Sequence, residues 1–140
     1  MSLQCVVYMS TSVGDPSADD LRALLETARQ NNAPLQLTGM LLYHDRTYIQ
    51  ALEGPPASVA KVYERITVDK RHTGLLKLID RRTDERDFAD WTMGFNVLSD
   101  AELRSVESWF PLNAFGSQAR QLEPGSAYRL LTHFHSRLAA

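Results

Sequence analysis

Two polar side chains stand where strand patterning calls for apolar ones. In "TYIQALEG", residues 47–54, side chains alternate across a strand, so Tyr48, Gln50 and Leu52 share one face. In "VVYMS", residues 6–10, the same alternation puts Tyr8 on a face with Val6 and Ser10. A buried amide must find hydrogen-bond partners or cost a few kcal/mol (~1–3). Glutamine also donates at one end and accepts at the other, so turning it rewrites the bonds of whatever it faces. A phenol beside it would supply a proton donor. "ARQNN" ends a helical segment with Asn31 and Asn32, which continue the stripe of Leu24 and Ala28. Arg65, Asp69, Arg71 and His72 gather near the end of a second such segment, whose stripe includes Ile66. Small and apolar walls, two Asn, a Tyr–Gln floor and a basic rim describe a slot for a flat heteroaromatic ligand with amide-like edges and a phosphate tail.

Plainer readings stand beside this one. Asn31-Asn32 before Ala-Pro also suits a bare helix C-terminus, since Asn tolerates the left-handed cap. Tyr8 and Gln50 could be a satisfied core pair, "DKRH" a solvated helix end, and Gly39 a strand irregularity.

The elements that must hold these residues follow from periodicity. Residues 3–10 are apolar on both faces, which predicts a central strand. Asp15 before Pro16 predicts a helix start, Leu21, Leu24, Leu25 and Ala28 repeat at helical spacing, and Pro34 ends the run. Strands over 37–43 and 47–53 join through His44-Asp45-Arg46 as a hairpin. Val59, Val62, Tyr63 and Ile66 mark a second helix, 73–82 a fourth strand, and "WTMGFNVL" a short fifth. The order β-α-β-β-α-β-β predicts an α+β chain with a ferredoxin-like mixed five-stranded sheet, both helices on one face, and the first and third strands as parallel central neighbours. Ser99 and Glu102 form a capping box ahead of Leu103, Val106 and Phe110, and Tyr128, Leu131, Phe134 and Leu138 form another stripe. Two C-terminal helices are therefore expected to cover the sheet's other face. The expected division is a sheet-and-helix module over 1–98 and a helical extension over 99–140.

Composition narrows the function classes. The chain has 140 residues, 44% hydrophobic and 23% charged, which suits one globular domain with its own core. Net charge is −2 with no basic run, so neither nucleic acid nor an anionic membrane is an expected partner. A single cysteine, Cys5, precludes an internal disulfide, and neither a membrane span nor a signal peptide is evident, so the expected location is the cytoplasm. The four histidines lack ligand spacing, so no metal is expected. No P-loop, dinucleotide fingerprint or nucleophile elbow occurs.

The motifs "VVYMS", "NNAPLQLTGMLLY", "YIQALEG", "VYERI", "DKRH" and "FADWTMGF", in this order, resemble the BLUF domain, a blue-light sensor using flavin. The resemblance covers residues 1 to about 98, and the length resembles that of small stand-alone members. It implies a flavin, FAD by family with FMN or riboflavin as substitutes, between the two helices. It implies contacts from Ser10, Leu24, Ala28, Asn31, Asn32, Gln50, Arg65, Ile66, Asp69, Arg71 and His72, with Asn32 at the C4 carbonyl. It implies photochemistry at Tyr8, Gln50, Trp91 and Met93 without substrate turnover. Tyr8 gives up an electron and a proton, and Gln50 rotates or changes tautomer. Trp91 and Met93 form the W-x-M pair beside Gln50. Thr92 and Ala28 depart from residues many members carry there. A downstream effector protein in trans is the implied partner, and a homo-oligomer is left open. The alternatives are a flavin-dependent enzyme on the same scaffold and a ferredoxin-like ligand-binding regulatory module.

Overall fold

The computed structural model describes residues 2–88 and 93–97. The elements run β1 (Leu3–Ser12), α1 (Ala18–Asn32), β2 (Thr38–His44), β3 (Thr47–Gly54), α2 (Pro56–Thr67), β4 (His72–Thr83) and β5 (Gly94–Val97), with a 3-10 turn at Ala33–Leu35. Sheet order is β4-β1-β3-β2-β5. β1 pairs antiparallel with both β3 and β4, β2 pairs antiparallel with β3, and β5 pairs parallel with β2.

The expected parallel pairing of the first and third strands is therefore corrected to antiparallel. α1 returns the chain so that β2 runs in the direction of β1, and the hairpin turn then reverses it. That turn is tight: Asp45 and Arg46 both take positive φ, 44° and 67°, the two-residue geometry whose twist matches the flanking strands. Antiparallel pairing sets Tyr8 directly opposite Gln50. The β1–β4 register shifts between Val7 and Tyr8, a bulge-type irregularity that bends a strand where a side chain is to be aimed.

The start of α1 also differs from expectation. Asp15-Pro16 lies outside the helix, and Ser17 caps it instead: its hydroxyl accepts from Asp20 N while the Asp20 carboxylate accepts from Ser17 N. The carboxylate three residues past a serine outweighs the Asp-Pro signal. α1 ends without a left-handed cap at the asparagines. Ala33 stays right-handed and Gln36, at φ 60°, makes the turn, so Asn31 and Asn32 remain helical. Pro55-Pro56 opens α2, where a missing N–H costs nothing.

The main core lies between helices and sheet. It joins Val6, Leu41, Tyr43, Tyr48 and Leu52 from the strands to Leu21 and Leu25 of α1 and Val59 and Val62 of α2. Cys5, Val7, Met40, Leu42, Ile49 and Ala51, on the opposite face, are buried too. The two expected C-terminal helices, with the Ser99–Glu102 capping box, lie outside the described residues. Among those described, no helix is long and apolar enough to cross a membrane.

Gly39 has a packing role. A Cβ there would meet the Ala51 carbonyl oxygen at 2.0 Å and the Met93 methyl at 3.3 Å. Backbone cannot yield as a side-chain tip can. Gly39→Ala should thus destabilise the fold by about 1–3 kcal/mol, read from a denaturant midpoint, as overpacking generally does. An unchanged midpoint would show that the strand simply shifts.

Candidate functional site

A cleft of about 840 Å³, including its open mouth, lies between α1 and α2 above the sheet. Its walls are Leu24, Leu25 and Ala28 from α1 and Val62 and Ile66 from α2. Its floor is Tyr8, Leu41, Tyr48 and Gln50, with Met93 beside them. The two helices run in opposite directions, so Asn31 and Asn32 close one end while Arg65, Asp69, Arg71 and His72 stand toward the other. The lining, mostly apolar with a few convergent polar groups, is that of small-molecule and cofactor sites.

The floor carries a connected polar chain. The Tyr8 hydroxyl donates to the Gln50 side-chain carbonyl. Burial pushes the Tyr8 pKa far up, with Tyr63 adding to the shift, so the phenol keeps its proton and acts as donor. The ring lies edge-on to Tyr63 at 5.9 Å and 6.2 Å from the His72 ring. At the other end of the amide, Gln50 Nε2 donates to Met93 Sδ at 3.5 Å. Both ends of Gln50 thus favour one orientation. Turned over, its carbonyl would face a thioether that has no proton to offer. A thioether is a weak acceptor and takes one of two amide hydrogens, so Gln50 keeps donor capacity for an occupant of the cleft.

The rim is held by its own bonds. Asp69 receives Arg71 N at 2.9 Å, Arg71 Nε at 3.0 Å and Arg71 Nη2 at 2.5 Å. The guanidinium keeps the Asp69 carboxyl below its usual range. His72 bridges Ser10 Oγ through Nδ1 and the Ile66 carbonyl through Nε2, both at 2.7 Å. The Ile66 carbonyl can only accept, so Nε2 carries a proton and faces α2.

Beneath Gln50 on the same strand lies a buried carboxylate. Glu53, 1% exposed, accepts from Thr38 Oγ1 at 2.9 Å, Asp87 N at 2.8 Å and Phe88 N at 2.6 Å. Burial raises its pKa even against those three donors. Arg86 adds bonds to Thr38 Oγ1 at 2.9 Å, the Glu53 carbonyl at 3.2 Å and the Gln36 carbonyl at 2.7 Å. These contacts fasten the chain just ahead of the segment containing Met93.

Of the residues singled out from sequence, Tyr8, Leu24, Ala28, Asn31, Asn32, Gln50, Arg65, Ile66, Asp69, Arg71, His72 and Met93 all line this cleft. Ser10 does not; it is buried and bonded to His72. Trp91 lies outside the described residues. Leu25, Thr27, Leu41, Tyr48 and Val62 also line it and were not singled out. Tyr48 shares Gln50's strand face and Leu41 is its partner in register, so both carried a usable signal.

Such a cleft, with apolar walls and a phenol–amide chain for its floor, has the lining of a site for a flat, partly polar small molecule. A family model for sensors of blue light using FAD, BLUF, matches residues 3–94, and the chain belongs to this family. Photoactivated adenylate cyclase subunit beta of Euglena longa is 36% identical over 93 residues, covering 66% of this chain and 11% of that protein. The chain therefore spans about a tenth (11%) of the length of this curated relative. The dark-state structure of BlrB, a BLUF protein, superposes with TM-score 0.69 at 25% identity, covering 99% of this chain and 96% of that one. The BlsA ground state gives TM-score 0.67 at 27% identity, covering 99% and 88%.

Proposed function

We propose that this protein is a blue-light photoreceptor that holds FAD between α1 and α2 and signals through hydrogen bonds of Gln50, without substrate turnover. The observation that carries this reading is the chain Tyr8–Gln50–Met93 on the cleft floor. The residues present fit a flavin: flat apolar walls, a spare amide donor at Gln50, amides at Asn31 and Asn32, and basic groups toward the open rim. Asn32, 2% exposed, would hold the carbonyl edge, with Asn31 beside it; Arg65, Arg71, Asp69 and His72 would hold the polar tail. None of these reads an adenine, so FMN or riboflavin would also be accepted.

When bound, the flavin supplies blue-light absorption and an electron acceptor. Tyr8 would give up an electron, with its phenolic proton passing along the bond to Gln50 Oε1, and both would return to Tyr8 by recombination once Gln50 has rearranged. Gln50 turns or changes tautomer and presents the other end of its amide to Tyr8 and to Met93. Each bond is worth only about 1 kcal/mol net, so the turn must bias an element already near balance. Met93, with Trp91 two residues earlier, leads into β5 and is the exit for that bias. The sensor module spans 1–98, and two helices within 99–140 pass the signal to an effector protein in trans. The site of action is the cytoplasm.

The visible spectrum before and after blue light tests the reading. A yellow protein with a reversible red shift, without reductant, is expected. A colourless protein would leave the ligand-binding regulatory module, and a coloured one without a reversible shift a flavin enzyme. Asn32→Ala is expected to lower flavin occupancy more than Asn31→Ala. It leaves a buried flavin oxygen without its donor, at about 1–3 kcal/mol, whereas Asn31 is exposed. Equal occupancy in wild type and both variants, measured by absorbance ratio, would count against this placement.

A further inference from the structure

Arg29 lies on α1, one helical turn before Asn32, and does not line the cleft. Its guanidinium reaches across to the segment ahead of β5. Nε and Nη2 both donate to the Met93 carbonyl, at 3.1 and 3.0 Å. A carbonyl has two lone pairs, and a charged fork donating to both fixes its direction. The side chain of the same methionine turns the other way. Its Sδ meets Gln50 Nε2 at 3.5 Å, and its methyl occupies the gap above Gly39. Met93 is therefore held at three points, and only one of them, the thioether contact, changes when Gln50 turns.

We propose that Arg29 is a positioning residue that sets the lifetime of the light state by clamping the Met93 backbone to α1. This rests on the flavin-switch reading above. With the carbonyl clamped, the thioether stays within reach of Gln50. In the resting orientation it accepts the amide N–H; in the turned orientation it faces a carbonyl oxygen, which it cannot bond. Both effects drive Gln50 back. Releasing the carbonyl lets Met93 retreat, which weakens the resting contact and relieves the turned one. The two consequences have the same sign: the light state lives longer. α1 thus contributes twice, to the cleft wall through Leu24 and Ala28 and to the switch through Arg29.

The test is thermal recovery after a blue flash, in the flavin-loaded full chain. Arg29→Ala is expected to keep wild-type flavin occupancy and the same size of red shift, and to recover at least fivefold more slowly. Arg29→Lys retains the charge but donates from one point, and should recover at a rate between the two. In a Met93→Ala background the carbonyl and its clamp remain but there is no thioether to position, so adding Arg29→Ala should change recovery less than twofold. Wild-type recovery in Arg29→Ala, or an equal slowing in both backgrounds, overturns the proposal. Should Arg29→Ala fold poorly, Arg29→Lys alone decides: recovery within 20% of wild type overturns it. A wild-type protein with no reversible red shift would instead remove the flavin-switch reading itself, a result distinguishable from any of these.

Discussion

Gln50→Leu is expected to bind flavin and to show no light-induced red shift at all. Leucine fills nearly the volume of the amide, so the cleft survives. The Tyr8 hydroxyl, however, loses its acceptor inside the core, and Met93 loses the amide that faced it. An orphaned buried hydroxyl costs about 1–3 kcal/mol, so a modest fall in stability should accompany the loss of signal. Difference spectra under steady blue light measure the first effect and denaturant titration the second. A normal red-shifted state in this variant would sink the role assigned to Gln50.

Tyr8→Phe should remove the photoproduct as completely and raise flavin fluorescence severalfold, because the electron donor that quenches the excited ring is gone. Ring packing against Tyr63 and His72 has no need of the hydroxyl, so the fold should tolerate the change. The amide left behind loses its proton donor. Combining Tyr8→Phe with Gln50→Leu removes both partners at once, so the double variant should be less destabilised than the two single losses added together. Strict additivity would mean that the Tyr8–Gln50 bond contributes nothing to the fold. A long-lived red-shifted species in Tyr8→Phe, formed in wild-type yield, would make another side chain the primary donor.

The site's floor and walls were legible because they obey short periods. Alternation put Tyr8 and Gln50 on one face, and helical spacing put Leu24, Ala28 and Ile66 toward it. Alternation carries no direction, so the relative sense of β1 and β3 had to come from the connections, and the sequence reading reversed it. What escaped entirely depends on long separations. Arg29 and the Met93 carbonyl it clamps are 64 residues apart. Glu53 meets backbone amides 34 and 35 residues away. A carboxylate on a strand face reads as polar edge chemistry, and nothing near it in sequence announces two backbone donors arriving from another loop. Ser10 shows a related limit: the pattern gives its face but not that His72 stands over it.

Glu53 has a mechanical consequence. It lies three residues after Gln50 on β3, and it fastens the backbone of Asp87 and Phe88 shortly before Met93. In the proposed switch, the amide that would turn and the segment that would answer it are thus mounted on one chassis. Motion of the sheet as a whole would carry both together and leave the spacing between Gln50 and Met93 unchanged, so common motion would cancel. Only relative displacement across that short span registers, as in a differential gauge whose two arms share a base. A small rearrangement, worth one hydrogen bond, can then stand out from thermal motion that would otherwise swamp it.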